Sequence, residues 1–216
     1  MSRQKTTFSP FFQEHPIQAS DSMGSITNIV EGFHDRLHYM VNHHAQVSVM
    51  HMVVSMPPID SSTANKIISD SLQGLKKNMQ NNKTEVQIGW VREQENRNEV
   101  STPGPSSLHY HVGVIADGSK TQSAISHTQN LSSLVAKKLN EDSCRVHYCE
   151  PKRKQDDVTS KTATAIKIRR NSAINNEQFD NALNYLSYFA KTNQKGHTPH
   201  RQREFGFTRL PSNLAD

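Results

Sequence analysis

Two apolar stretches with alternating polarity, Thr84–Glu93 and Leu108–Ala116, constrain the fold of this chain most strongly. Alternation with a period of two is typical of β-strands, because successive side chains point to opposite faces of a sheet. The loop between them carries Pro103, Gly104 and Pro105, which interrupt regular structure. Strands joined by a loop most often pair antiparallel. We therefore expect the end of the first strand to lie beside the start of the second.

The second strand carries His109 and His111, whose imidazoles share one face of the sheet because they are two residues apart. With 12 His in 216 residues, roughly one such pair is expected by chance, so its neighbours decide its meaning. Antiparallel pairing brings Glu93 next to His109. Two imidazoles and one carboxylate can bind one divalent ion and leave positions open for phosphate oxygens. Glu93 is the preferred third ligand because it lies closer to the strand end, and Glu95, with the same parity, stays an alternative.

The remaining periodicity predicts an α+β fold. Apolar residues at steps of three and four residues predict helices at 22–42, 61–81, 121–139 and 176–192. Further strands are predicted at 47–56, 144–149 and 164–169. Together these elements indicate an antiparallel sheet of about five strands flanked by helices. We expect a flexible N-terminal tail at 1–21, a single domain at 22–210 and a C-terminal tail at 211–216.

The last predicted helix carries Tyr188 and Lys191 on its polar side, opposite its apolar stripe. A tyrosine hydroxyl is a poor nucleophile at its ordinary pKa near 10, but next to a metal-bound phosphate it can attack and form a covalent ester. A lysine three residues further on lies one helical turn away, where it can stabilise the phenolate or screen the phosphate. Tyr185 lies at the border of the two faces, and its role stays open.

Charge and cysteine content narrow the function classes. A net charge of +5 favours a polyanionic partner such as nucleic acid. Cys144 and Cys149, the two cysteines, would lie on opposite faces of a strand, which excludes a disulfide scaffold and fits a reducing compartment. No stretch approaches the roughly 18 apolar residues of a membrane span, and residues 1–16 lack the apolar core of a signal peptide. We expect a cytoplasmic protein with no membrane partner.

Two motifs follow one another along the chain. The first is His109-Tyr110-His111 before an apolar run, and the second is Tyr188-Phe189-Ala190-Lys191 on a predicted downstream helix. In this order they resemble the histidine–hydrophobe–histidine (HUH) endonucleases, which initiate rolling-circle replication. Trp90-Val91-Arg92-Glu93-Gln94 and Phe205-Gly206-Phe207-Thr208-Arg209 more particularly resemble the filamentous-phage gene-two replication-initiator group of inoviruses and prophages. The resemblance covers about residues 45–210. Tyr110 is bulkier than the usual central residue, so we expect its ring to pack in the core and its hydroxyl to find a partner.

The resemblance implies an HUH-like fold and a specific chemistry. A Mg²⁺ or Mn²⁺ ion would be bound by His109 and His111, and the third ligand stays open between Glu93, which is preferred, and Glu95. Tyr188, assisted by Lys191, would nick single-stranded origin DNA of a phage, prophage or plasmid and stay joined to the 5′ end, while the free 3′-OH primes synthesis. The chain has no G-x-x-x-x-G-K-[ST] motif, so a host helicase and polymerase are the expected partners. The DNA-contact candidates are Lys152, Arg153, Lys154, Arg169 and Arg170.

An alternative function needs no catalysis. The same sheet could serve a single-stranded nucleic-acid-binding or regulatory protein of a mobile element, with Trp90 and Tyr110 as stacking platforms. This alternative predicts binding that does not depend on metal and no strand scission with any divalent ion.

Overall fold

The computed structural model of the chain describes residues 5–94, 108–121, 123–141, 145–151, 165–170, 175–192 and 203–211. Its helices are α1 (Thr27–His43), α2 (Ser61–Asn81), α3 (Ala124–Leu139) and α4 (Asn175–Ser187), and a 3-10 turn (Tyr188–Ala190) follows α4. Its strands are β1 (Thr6–Thr7), β2 (Phe11–Phe12), β3 (His15–Pro16), β4 (Ser25–Ile26), β5 (Gln46–Ser55), β6 (Val86–Gln94), β7 (Leu108–Asp117), β8 (Arg145–Tyr148), β9 (Ile166–Arg169) and β10 (Phe205–Phe207). None of the helices in these ranges has both the length and the apolar character that a membrane span needs.

Six of these strands form one antiparallel sheet. Its order is β10, β6, β7, β5, and then β8 and β9, which share the outer edge of β5. The sheet is open, with β10 at one edge and β8 and β9 at the other. Together with the four helices of the described residues, it confirms the predicted α+β class. The strand beyond the predicted five is β10, which the sequence pattern does not predict.

The pairing of β6 with β7 places the residues of interest. The two strands are antiparallel and in continuous register from Val86 opposite Ala116 to Gln94 opposite Leu108. Glu93 therefore lies directly opposite His109. The predicted antiparallel pair is confirmed, and with it the approach of the first strand's end to the second strand's start.

The two faces of the sheet pack against different helices. α2 and α3 cover one face, where buried methionine and branched aliphatic side chains surround Trp90 and Tyr110. Tyr110 is fully buried, and its hydroxyl donates to Asn65 Oδ1 in α2 at 2.7 Å. The bulky centre of the histidine motif thus packs in the core with its hydroxyl bonded, as expected. α1, α4 and the 3-10 turn cover the other face.

α1 approaches the second face closely because two facing strand positions are glycines. A Cβ atom at Gly89 would lie 2.7 Å from the ring of Phe33 in α1, and one at Gly113 would lie 2.6 Å from it. The Phe33 ring also contacts those of Phe189 and Phe207, with ring centroids 5.1 Å and 5.0 Å away. These aromatic contacts join α1, the 3-10 turn and β10 over the middle of the sheet.

Residues 5–21, part of the segment predicted to be a flexible tail, include short elements that pack on the domain. β1 pairs with β4, and β2 pairs with β3. Ile17 is buried in the core beside α1 and α4, and His15 Nδ1 lies 2.6 Å from Asp180 Oδ1 of α4. Burying apolar side chains of this segment offsets the entropy lost on ordering it. Apart from Pro211, the predicted C-terminal tail lies outside the described residues.

Candidate metal centre and active site

Glu93, His109 and His111 converge at one end of the β6–β7 pair, and we call them the histidine–glutamate cluster. His111 Nε2 lies 2.9 Å from Glu93 Oε2, and His109 Nε2 lies 3.3 Å from the same oxygen. One ligand atom from each side chain lies within 4.8 Å of the other two. The register causes this convergence, because it sets Glu93 opposite His109 and two residues from the pair position of His111. The arrangement expected from strand parity is therefore observed.

The donor atoms of this cluster fit a divalent cation. Two imidazole nitrogens and one carboxylate oxygen suit divalent metals and leave further coordination positions open. Glu93 is only 3% exposed, and a carboxylate buried this deeply is costly unless its charge is compensated. A cation among the three ligand atoms would provide that compensation. Within the described part of the chain, this is the one group of three or more His, Cys, Asp or Glu side chains with such convergence.

A third imidazole supports the cluster from the neighbouring strand. His51 Nε2 in β5 lies 2.8 Å from His111 Nδ1. Burial, and next the proximity of His111, lowers the pKa of His51 to about 3 against the opposing influence of Glu93, so His51 is neutral at physiological pH. A His111 that coordinates through Nε2 carries its proton on Nδ1, and that N–H can donate to Nε2 of His51. This contact orients the His111 ring and favours the tautomer with its proton on Nδ1.

Tyr188 lies beside these histidines in the 3-10 turn that follows α4. Its ring centroid is 5.6 Å from that of His111 and 6.2 Å from that of His51. Phe189 packs on the same two imidazoles and holds the turn against the sheet. Tyr188 itself is 36% exposed. Burial, with smaller contributions from the charges of Glu93 and Cys149, raises the pKa of Tyr188, so its side chain is the protonated phenol at neutral pH.

Lys191 lies next to Tyr188, but it does not lie on the same helix, as its spacing predicts. The helix predicted to run to 192 ends before Tyr188, and Lys191 follows the 3-10 turn with φ −55° and ψ 136°. Backbone bonds to the start of the chain hold it there: Lys191 forms a β-bridge with Ser25, and the Thr192 N–H donates to the Gly24 carbonyl at 3.0 Å. Its Nζ lies 4.2 Å from the Tyr188 ring centroid, a cation–π distance.

Tyr185, one helical turn earlier, is placed differently. Its hydroxyl donates to the backbone carbonyl of Cys149, and its ring lies 5.5 Å from that of His51. Burial, and then the neighbouring Tyr148 and other acidic groups, raise the pKa of Tyr185. This side chain joins α4 to the segment after β8, and its hydroxyl already has a partner.

A cleft of about 980 Å³ opens at the cluster and runs along α4. His51, His111 and Tyr188 line one part of it, and Lys167 of β9 and Asn181 of α4 line another. Its volume lies at the upper end of the range for small-ligand sites. The cleft therefore connects the cluster and the tyrosine to a continuous polar surface of α4.

Of the basic residues predicted to contact DNA, the structure describes Arg169 and Arg170, and these two lie away from the cluster. Residues 152–154, like Glu95, lie outside the described residues. Arg169 and Arg170 are exposed, and Arg169 pairs with Gln46 at the start of β5, whereas the cluster lies beside the end of β5. Their contact with DNA stays a prediction, at a place remote from the histidines.

His51 is the residue of this site that the sequence analysis missed. The sequence feature that could have identified it is its position in the middle of an apolar run, Val47 to Val54, because a buried polar side chain needs a hydrogen-bond partner. The partner could not be named because nothing local fixes which strand lies beside β5.

A family model described as the YagK/YfjJ C-terminal domain matches residues 8–208 of the chain. Comparison with curated proteins found no match, and comparison with solved structures found none either. The family match spans both the cluster and the 3-10 turn with Tyr188, together with most of the N-terminal segment that holds the turn in place.

Proposed function

We propose that this chain, which belongs to the YagK/YfjJ C-terminal domain family, is a metal-dependent endonuclease that nicks and rejoins single-stranded DNA through a covalent bond to Tyr188. The observation that carries the proposal is the position of the Tyr188 ring, 5.6 Å from that of His111 and in the lining of the same cleft. A partly exposed tyrosine beside a cluster of metal-ligand type is the pairing that tyrosine-dependent phosphodiester transfer requires. An HUH-like fold accords with both features.

Glu93, His109 and His111 would hold the ion, for which we propose Mg²⁺ or Mn²⁺. The carboxylate favours these hard cations, which prefer oxygen ligands. When bound, the ion would polarise the scissile phosphodiester and neutralise the charge that develops on it. His51 keeps the His111 ring oriented, with its neutral Nε2 as hydrogen-bond acceptor.

Tyr188 would act as the nucleophile. Its hydroxyl oxygen forms a bond to phosphorus, the bond from phosphorus to the 3′ oxygen breaks, and the 3′ oxygen takes up a proton from water while the phenol releases one. Lys191, whose Nζ lies 4.2 Å from the ring centroid, stabilises the developing phenolate. Because one phosphodiester replaces another, attack by a 3′-OH on the phosphotyrosine reverses the reaction and joins the strand.

The biological setting we propose is initiation of rolling-circle replication of a phage, prophage or plasmid. The family is associated with prophages, and the motif order of the sequence resembles that of replication initiators. The substrate would be single-stranded origin DNA. A host helicase would separate the strands, and a host polymerase would extend the free 3′-OH.

Incubation with labelled single-stranded DNA and Mn²⁺, followed by denaturing electrophoresis, tests the proposal. A random pool of oligonucleotides supplies the unknown site. With the label at the 3′ end, we expect a protein–DNA band of low mobility, because the tyrosine stays joined to the 5′ phosphate of the downstream fragment. With the label at the 5′ end, a shortened free fragment should appear instead.

Two tyrosine variants identify the nucleophile. Tyr188→Phe and addition of a chelator should each abolish the band, whereas Tyr185→Phe, which keeps the exposed tyrosine, should retain it. A band that persists in Tyr188→Phe would exclude this residue as the nucleophile. Binding of the pool without metal and without any scission would instead favour the non-catalytic alternative.

A further inference from the structure

One face of α4 is continuous with the position of Tyr188, the proposed nucleophile. Asn181, Asn184 and Tyr188 follow one another at steps of three and four residues, which keep them on the same side of a helix, and all three line the cleft. Asn181 is exposed and Asn184 is half-buried. The structure describes no hydrogen bond from either side-chain carboxamide to another of the described residues. Two amide groups are thus presented to the cleft.

The chemistry of the lining favours contact with bases over contact with phosphates. A carboxamide offers hydrogen-bond donors and an acceptor side by side but no charge, and such a pair matches the edge of a nucleobase. Among the described residues, the charged side chains that line the cleft are Lys167, Lys191, Glu150 and Glu177, so the positive and negative groups of this part of the lining balance. A cleft of this composition gains little from a phosphate backbone alone.

We infer that Asn181 and Asn184 recognise bases of single-stranded DNA next to the scissile phosphate, so that α4 carries part of the sequence specificity and the 3-10 turn directly after it carries the nucleophile. The inference rests on the proposed function, which sets the scissile phosphate at Tyr188. Asn184 and Asn181 come four and seven residues before Tyr188, which at the helical rise of 1.5 Å per residue corresponds to about 6 Å and about 10 Å along the axis of α4. This span corresponds to roughly three nucleotides of a stacked strand. Unpaired bases expose the edges that carboxamides can bind.

Selection from a random pool tests base recognition separately from chemistry. The full-length protein with Tyr188→Phe, which cannot form the covalent bond, is incubated with random single-stranded DNA and Mn²⁺, and the bound fraction is sequenced. We expect preferred bases at two or three neighbouring positions. Adding Asn184→Ala should reduce the preference at one position roughly 5- to 150-fold, the value of one bidentate base contact, and leave the other positions unchanged. Asn181→Ala should act on a neighbouring position.

Matched variants separate recognition from a structural role. Asn81→Ala changes an exposed helical asparagine of α2, on the other face of the sheet, and should leave every preference as it was. Asn184→Asp keeps the acceptor and removes the donor, so the preference at its position should move toward bases with an exposed amino group, cytosine above all. A purely structural asparagine would not produce that exchange.

Three results would overturn the inference: no preferred bases in the selected pool, preferences that survive both alanine variants, or a loss of affinity that is equal for all sequences. The proposed function is tested separately, by the formation of a covalent protein–DNA adduct in the protein with Tyr188 intact. A protein that selects bases through Asn184 yet forms no adduct would contradict the nuclease activity and leave base recognition standing.

Discussion

Carboxylates and histidines lie at both ends of the β6–β7 pair, and the two ends differ in how these groups are arranged. At one end lies the histidine–glutamate cluster. At the other lies a group that we call the distal group, made up of Tyr39, His44, Glu85 and Asp117. In the distal group His44 lies between two carboxylates, with Nε2 3.1 Å from Glu85 and Nδ1 3.6 Å from Asp117.

The distal group consists of separate pairwise contacts. The Tyr39 hydroxyl donates to Glu85 Oε1 at 2.7 Å, and the Ser119 hydroxyl donates to Asp117 Oδ1 at 2.6 Å. Each carboxylate therefore has its own donors, and the Glu85 side chain is 37% exposed. In the histidine–glutamate cluster, two imidazoles approach a single carboxylate oxygen instead. Both ends contain histidine and carboxylate, and only the convergence of ligand atoms on one position distinguishes the cluster that could bind a metal ion from the distal group.

The largest difference should appear on removing one carboxylate from each end. Glu93→Gln keeps the shape of the side chain and removes its charge, so we expect affinity for Mn²⁺ to fall by more than about 100-fold. Glu85→Gln, the matched change in the distal group, should leave the affinity unchanged. Titration calorimetry measures both. Equal losses in the two variants would show that the ion binds elsewhere.

A smaller difference should follow from the supporting histidine. His51→Leu removes the acceptor for His111 Nδ1, so we expect a loss of Mn²⁺ affinity of about 10- to 100-fold, as is usual when a partner of a metal ligand is removed. His44→Leu in the distal group serves as the control and should keep the wild-type affinity. Circular dichroism checks that both variants are folded. Unchanged affinity in His51→Leu would reject its role as a positioning residue.

The smallest effect should come from a substitution in the distal group, which should change the free energy of unfolding and leave metal binding unchanged. Tyr39→Phe removes one hydrogen bond to Glu85, so the free energy of unfolding should fall by about 1 kcal/mol at neutral pH, with no change in Mn²⁺ affinity. Burial and the bond to Glu85 raise the pKa of Tyr39 from 10 to about 12. The protonated hydroxyl therefore contributes its full stability below pH 10 and loses it as the pH rises from 10 to 12.

Denaturant titrations of the wild type and Tyr39→Phe across this pH range test that sign. The gap between the two free energies should close above pH 10. A gap that widens with rising pH, or a loss of Mn²⁺ binding in Tyr39→Phe, would contradict the assignment of the distal group as structural.

The histidine–glutamate cluster could be predicted from the sequence because its geometry depends on periodicity within each strand and on the pairing of two consecutive strands. Strand parity puts His109 and His111 on one face, and the antiparallel pairing of two consecutive strands adds Glu93. Tyr188 could be separated from the apolar stripe of its helix by counting residues at 100° per residue. Each of these predictions depends on periodicity within an element or on the pairing of sequence neighbours.

The rest depends on contacts between distant parts of the chain. His51 joins the site only because β5 pairs with β7, which the sequence does not specify. Lys191 was predicted on a continuous helix, whereas a β-bridge to Ser25 fixes it. β10 is recognisable as a strand only once Phe207 is seen to pack against Phe33 and over Gly89. In each case tertiary packing overrides or supplements local propensity.

The attachment of the Tyr188 turn to the first residues of the chain has a consequence for the order of folding. The Gln18 N–H donates to Ser187 Oγ across 169 residues of sequence, whereas His111 and Glu93 are 18 residues apart. Closing the loop between Gln18 and Ser187 costs more entropy than closing the one between Glu93 and His111. We therefore expect the histidine–glutamate cluster to form early in folding and Tyr188 to pack beside it last. Under the proposed function, a nascent or half-folded chain would hold an ion but lack its nucleophile, and only the finished molecule could cut DNA.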